Sequence, residues 1–328
     1  MKWAHKIIQC EDGEVKAVCP EIISVSRSTD IPAFFPEWFV EQFQKGYVRW
    51  QNPFNQQVQY VSFEKTCAIV FCSKNPAPLM PYLDLFDRRG IAYYFQFTLN
   101  DYDRERFEPN VPPLAERVLT FRSLSRRLGK ERVVWRFDPL ILTDELTVEK
   151  LLEKVKRVGD QIHPYTEKLV TSFVDIAAYV KVQRNLARTG LNWKEFDQAG
   201  MIRMAEGLSK LNEPWGLTIA TCGEKVDLSN YGIGPNKCID EELLFRISVD
   251  GSPLREFLQS HGVGQGDVFP LTPRHKDSGQ RADCGCFMCK DIGRYSTCNH
   301  LCVYCYANSS PAAVAANVAR MDRDGDCI

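Results

Sequence analysis

The chain has 328 residues and a formal net charge of −1, with 41 Lys and Arg against 42 Asp and Glu. That length supports one large domain or two small ones around a substantial core, and the charge balance makes no electrostatic case for nucleic acid or an anionic membrane. No apolar run reaches bilayer-spanning length, and the stretch Met1 to Lys16 has no hydrophobic region of signal-peptide type, so the expectation is a cytoplasmic, reducing location without a membrane partner.

In chain order, short β-branched and aromatic runs predict strands at Ile22–Arg27, Cys67–Ser73, Ala92–Leu99, Arg132–Phe137, Lys168–Val174 and Gly216–Cys222. Helices are predicted between them. Leu114, Val118, Phe121, Leu124 and Leu128 share one helical face, with Gly129 as a stop, and Thr147 is an N-cap for the helix carrying Leu151, Leu152, Val155 and Val158. Two more cover Asp175–Arg188 and Phe196–Leu211. This alternation predicts an α/β fold, a partial (β/α) TIM-type barrel of about six parallel strands. The barrel is assigned to residues 1–225, and a cysteine-rich region, 226–328, packs on it. After Cys222 the alternation fades into loop chemistry, Gly262-Val-Gly-Gln-Gly266 follows no strand and is not a dinucleotide loop, and Met321–Ile328 reads as a loose tail.

Polar residues gather at the ends of the predicted strands, where a parallel barrel builds its site. Arg136 and Asp138 share a strand face with Val134, and Gln96 and Thr98 share one in the same way. Arg136 suits a carboxylate or phosphate, Asp138 a ribose hydroxyl, and Glu224 an amino group; Arg27 and Asp30 are further candidates. The alternatives are a rim ion pair for Arg136 and Asp138, a solvated carboxylate for Glu224, and a turn cap for Asp30.

Thirteen cysteines are far more than packing needs in a reduced chain, and six lie between Cys284 and Cys305. Cys298, Cys302 and Cys305 have the spacing C-x3-C-x2-C with Tyr304 before the third. Three thiolates so placed wrap three corners of a [4Fe–4S] cluster and leave one iron open for the amino and carboxylate groups of S-adenosylmethionine (SAM). Zinc is the competitor, with His300 as a further ligand. A second set, Cys222, Cys238, Cys284 and Cys286 with Cys289 nearby, can hold an auxiliary cluster or a zinc ion, against the alternative of unligated thiols. Cys67 and Cys72 lie in an apolar strand and read as core.

The C-x3-C-x-aromatic-C motif resembles the defining signature of radical SAM enzymes. The wider pattern is similar to an uncharacterised bacterial domain-of-unknown-function family with such a cluster at its C-terminus. It runs through Ser24–Pro32, Asn52–Asn55, Lys74–Pro76, Tyr94–Thr98, Trp135–Pro139 and Lys290–Gly293 to Cys305, nearly the whole chain. The resemblance implies a barrel and an iron–sulfur cluster but no substrate. Radical SAM enzymes usually carry the motif after the first barrel strand, near the N-terminus; here it follows the sixth predicted strand. The leading expectation is reductive cleavage of SAM and radical chemistry on an unknown substrate, with a reducing partner such as a ferredoxin or flavodoxin. The alternatives are an iron–sulfur electron carrier that does not use SAM and a zinc-stabilised binding protein. Nucleic acid is not indicated.

Overall fold

All six predicted strands form, and they lie side by side in one parallel sheet of eight. The structure is a computed structural model, which describes residues 3–53, 55–264, 276–277, 280–281, 283–322 and 325–328. The chain begins with β1 (Ala4–Cys10), β2 (Gly13–Cys19) and the first central strand, β3 (Ile22–Val25). Helices α1 (Ile31–Phe34) and α2 (Pro36–Lys45) lead to β4 (Tyr47–Gln51) and β5 (Val58–Ser62). Next come β6 (Ala68–Ser73), α3 (Leu83–Arg88), β7 (Ala92–Thr98), α4 (Leu114–Leu128) and β8 (Val133–Leu140). A short β9 (Leu142–Thr143) precedes α5 (Val148–Ile162), β10 (Lys168–Phe173) and α6 (Val180–Ala187). After β11 (Trp193–Lys194), α7 (Gln198–Asn212) and β12 (Thr218–Thr221) comes a third segment. It holds β13 (Ile233–Pro235), α8 (Glu241–Ile247), α9 (Pro253–Ser260), β14 (Lys290–Asp291) and α10 (Pro311–Arg320).

The large sheet runs β14-β3-β6-β7-β8-β10-β12-β13. Its two edge strands, β13 and β14, come from the stretch that reads as loop in the sequence; with three and two residues they are too short to carry an alternation. β1, β2, β5 and β4 form a separate four-stranded sheet with no counterpart among the predicted strands. β1 is exposed along most of its length, so it has no apolar run to betray it.

The period-2 geometry of the strands divides the large sheet into two faces. One face, with Ile23, Val25, Phe71, Phe95, Phe97, Trp135 and Leu169, packs against the helices in a single core. Each such side chain, wholly buried, contributes roughly 1.5–3 kcal/mol. Ile22, Ala68, Val70, Tyr94, Val134 and Val170 form the other face, covered by Ile239, Leu243, Leu244 and Cys284–Cys289. The segment just beyond β13 lies back over this face, where Tyr94 and Gln96 of β7 both donate to the carbonyl of Cys238, at 2.6 and 3.0 Å. Among the described residues β13 and β14 do not pair with each other. The chain before β14 spans the gap instead, with Phe287 N–H donating to Ile239 O at 3.0 Å.

The helix signals behave as their chemistry requires. Gly129 ends α4 at φ +97°, a conformation that excludes most side chains, and the Thr147 hydroxyl accepts from Lys150 N–H to start α5. The helix expected over Asp175–Arg188 starts only at Val180. The tail expected to be loose is docked: Trp38 donates to Gly325 O at 2.9 Å, Arg49 N–H to Asp326 O at 2.7 Å, and Ile328 is buried. The Gly262–Gly266 motif lies partly outside the described residues. No helix among those residues is long and apolar enough to cross a membrane.

Candidate metal centre at the strand ends

Side chains from the ends of the parallel strands converge above the covered inner face. Arg136, on β8, donates from Nε to Asp138 at 3.0 Å and from Nη1 to Gln96 at 3.2 Å and to Cys238 Sγ at 3.0 Å. Asp138 also accepts from the Ser172 hydroxyl. Burial pushes the Asp138 carboxyl up, but Arg136 and Ser172 outweigh it and hold the group below its ordinary value. Thr98 stands two residues beyond Gln96, half-buried on the same strand face. Glu224, after β12, accepts from Phe173 N–H at 2.9 Å. Burial, with Asp175 and Asp138 nearby, raises its carboxyl to about 7.

Arg27 follows β3. Its Nη2 reaches Asp277 at 3.0 Å and Cys289 Sγ at 3.4 Å, while Nη1 is buried with no hydrogen-bond partner among the described residues. Asp291, at the end of the neighbouring β14, accepts from Arg27 N–H at 2.7 Å and from the hydroxyls of Ser26 at 3.2 Å and Ser28 at 3.1 Å. Gly293 makes this approach possible, since a Cβ there would stand 1.8 Å from Ser26 Oγ.

The loop with Cys298, Cys302 and Cys305 follows β14 and lies over the ends of β3, β6 and β7. Non-cysteine residues hold it. His300 donates to Asp30 at 2.8 Å, so the imidazole considered as a zinc ligand is already engaged. Asp30 caps α1 and also accepts from Ser73 and Lys74 N–H, each at 2.7 Å. The Tyr304 hydroxyl donates to Glu108, which receives Lys74 Nζ at 2.7 Å and Asn100 Nδ2 at 2.8 Å. Burial opposes the Glu108 charge, but Lys74 and Arg117 prevail and lower it to about 2. Tyr306 donates to Arg27 O at 2.8 Å and so ties the loop to β3.

The three thiols act on one another electrostatically, and burial raises all of them, Cys298 to about 12. No disulfide removes them, because all thirteen cysteines are free. Backbone N–H groups of His300 and Asp30 reach Cys298 and those of Ala307 and Asn308 reach Cys305, the last at 3.4 Å, and among the described residues Asn308 Oδ1 is buried without a partner. Among the described residues no three His, Cys, Asp or Glu side chains are gathered as a ready-made metal site. In donor chemistry, three free thiols on one short loop, Cys302 buried and Cys298 and Cys305 partly so, suit an iron–sulfur cluster, whose ligands would have to draw together to hold it.

The second cysteine set is also brought together. Cys222 and Cys238 are 3.3 Å apart, sulfur to sulfur, Cys238 N–H donates to Cys286 Sγ at 3.1 Å, and Cys286 in turn bonds Cys284. That last bond is the main reason the Cys284 thiol is lowered.

One of the two core cysteine assignments changes. Cys67 is core, buried with its thiol on Glu21 O, but Cys72 is on the inner face beside Arg136 and Arg27. Alternation from Val70 was the available signal. Glu108, Asn100 and Asp291 escaped sequence reasoning because each lies in or near a loop and acquires its role only through distant partners. A separate cavity of about 410 Å³, between Arg49, Arg294 and the docked tail, shares no residue with this region.

A family model described as a domain of unknown function, DUF1848, matches residues 22–307. No curated protein matches the chain. A crystal structure from Bacteroides thetaiotaomicron VPI-5482, assigned as an alpha-L-fucosidase, is similar at 9% identity over 60% of this chain and 84% of that one. Its TM-score is 0.27, a level that carries no argument.

Proposed function

The chain belongs to the DUF1848 family of domains of unknown function, and from that premise we propose that it is an iron–sulfur enzyme of the radical SAM type, with Cys298, Cys302 and Cys305 as cluster ligands. The observation that carries this reading is the place of β14. Radical SAM enzymes usually carry their motif in the loop after the first barrel strand. Counted across the sheet, β14 comes first and β3 second, and the three cysteines follow β14 directly. A motif late in the chain is therefore early in space. The eight-stranded sheet is read as a TIM-type barrel left open between β13 and β14, with its site at the strand ends.

A reduced [4Fe–4S] cluster held by Cys298, Cys302 and Cys305 would supply the electron for reductive cleavage of SAM. The chain's own part is to bind and orient. Arg27, with Nη1 unpartnered among the described residues, is the group for a ligand carboxylate or phosphate. Arg136 has most of its donors on Asp138, Gln96 and Cys238, so it positions these groups rather than binding ligand itself. Thr98 and Glu224 remain for hydroxyl and amino groups. The electron comes from a partner such as a ferredoxin or flavodoxin.

The test is anaerobic reconstitution of the full chain with iron and sulfide, followed by dithionite and SAM. The expected result is 5′-deoxyadenosine, together with a cluster spectrum that changes when SAM is added. A fully loaded cluster that yields no 5′-deoxyadenosine and ignores SAM overturns the proposal in favour of an electron carrier.

A further inference from the structure

Cys222, Cys238, Cys284 and Cys286 come from both sides of the gap in the sheet. Cys222 directly follows β12 and Cys238 follows β13, while Cys284 and Cys286 lie on the segment that runs to β14. Their sulfurs form a continuous chain of contacts, with 3.3 Å between Cys222 and Cys238. A tetrahedral zinc site with Zn–S of about 2.3 Å sets neighbouring sulfurs about 3.8 Å apart. A cubane cluster binds each thiolate on a different iron and spreads them further. The 3.3 Å between Cys222 and Cys238 is nearer the single-ion spacing; among the described residues no three of the sulfurs already stand around one point, so an ion would have to draw this chain of contacts into a tetrahedron.

A second observation is independent of spacing. Cys238 Sγ accepts from the Arg136 guanidinium at 3.0 Å and from Asn236 Nδ2 at 3.4 Å, and Cys286 Sγ accepts a backbone N–H at 3.1 Å. Donors aimed at sulfur, one of them the Arg136 guanidinium, are the contacts that a metal-bound cysteine receives from its surroundings.

We propose that these four cysteines hold one zinc ion, which clamps the open seam of the sheet. All four positions are filled by protein, so the ion is structural. It holds the β13 edge against the segment that places β14 and, beyond it, the loop with Cys298. The proposal does not rest on the cluster reading.

The test uses the full chain carrying Cys298→Ala, Cys302→Ala and Cys305→Ala, which has lost the other thiol set. Metal analysis is expected to find about one zinc per chain and no acid-labile sulfide. Adding Cys284→Ser and Cys286→Ser should abolish it. Because that last variant can fail to fold, cobalt is also substituted for zinc in the triple variant, where intense thiolate-to-cobalt charge-transfer absorption is expected. Iron with sulfide in place of zinc, zinc retained after Cys284→Ser and Cys286→Ser, or a cobalt spectrum without thiolate bands overturns the proposal.

Discussion

The two cysteine sets are built in opposite ways. At Cys298, Cys302 and Cys305 the polar side chains grip the loop through His300, Tyr304 and Tyr306, and the sulfurs of Cys298 and Cys305 are met by backbone N–H groups. At Cys222, Cys238, Cys284 and Cys286 the sulfurs themselves carry the contacts. An open position for chemistry needs ligands free to receive a cofactor, whereas a structural site is closed by the protein alone. The contrast is the one that the two proposals, a reaction centre and a clamp, require of their ligands.

Exchanging the damage is the sharpest way to break this contrast. Cys302→Ala is expected to abolish 5′-deoxyadenosine formation while zinc content and thermal unfolding stay near the wild type. Cys238→Ser is expected to lose zinc and lower the melting temperature. Measuring all three quantities on both variants decides the matter, and a Cys302→Ala chain that loses zinc would show that the two sets form one site.

A smaller effect is expected at the network beneath the cluster loop. The Glu108 carboxyl is lowered to about 2 from an ordinary 4.5. Its stabilisation is therefore complete above pH 4.5 and is lost as pH falls toward 2. At 1.36 kcal/mol per unit the shift corresponds to about 3 kcal/mol, most of which Glu108→Gln should cost at neutral pH. Denaturant unfolding at pH 7 and pH 3 checks this, since the difference between variant and wild type should shrink in acid. An equal loss at both values would mean that packing, not charge, holds the loop.

Least in size is a pH effect at Glu224, whose carboxyl is raised to about 7. A raised carboxyl makes the folded state less favourable as pH climbs from about 4.5 to 7, and it carries its full charge only above that range. If Glu224 meets the amino group of SAM, affinity should rise from pH 6 to pH 8, and Glu224→Gln should flatten the profile. Calorimetric titration of SAM into the reconstituted chain reads this directly; a parallel slope in the variant would remove Glu224 from the site.

Much was legible before any coordinates. Six central strands, the starts or stops of α4 and α5, and the grouping of both cysteine sets follow from local rules. Strand burial shows as an apolar run, Thr147 and Gly129 are local caps, and the C-x3-C-x2-C loop brings its thiols together through chain connectivity alone. Where local rules had no purchase, the reading failed. β1 exposes most of its side chains, and β13 and β14 are too short for a pattern. Cys72 was judged by its apolar neighbours in sequence, although those neighbours alternate between two faces.

The sequence by itself determined the composition of the mouth: the cysteines, the polar strand ends and the parallel strands that carry them. Tertiary structure alone decided their arrangement. It set β14 beside β3, which turns a C-terminal motif into the loop after the first strand in space. It also brought Cys222 and Cys238 to Cys284 and Cys286 across the gap between the sheet edges, and drew Asp30 to His300 and Glu108 to Tyr304. Strand order and cross-chain contacts depend on which apolar faces bury one another over long separations, and no local window of sequence contains that information.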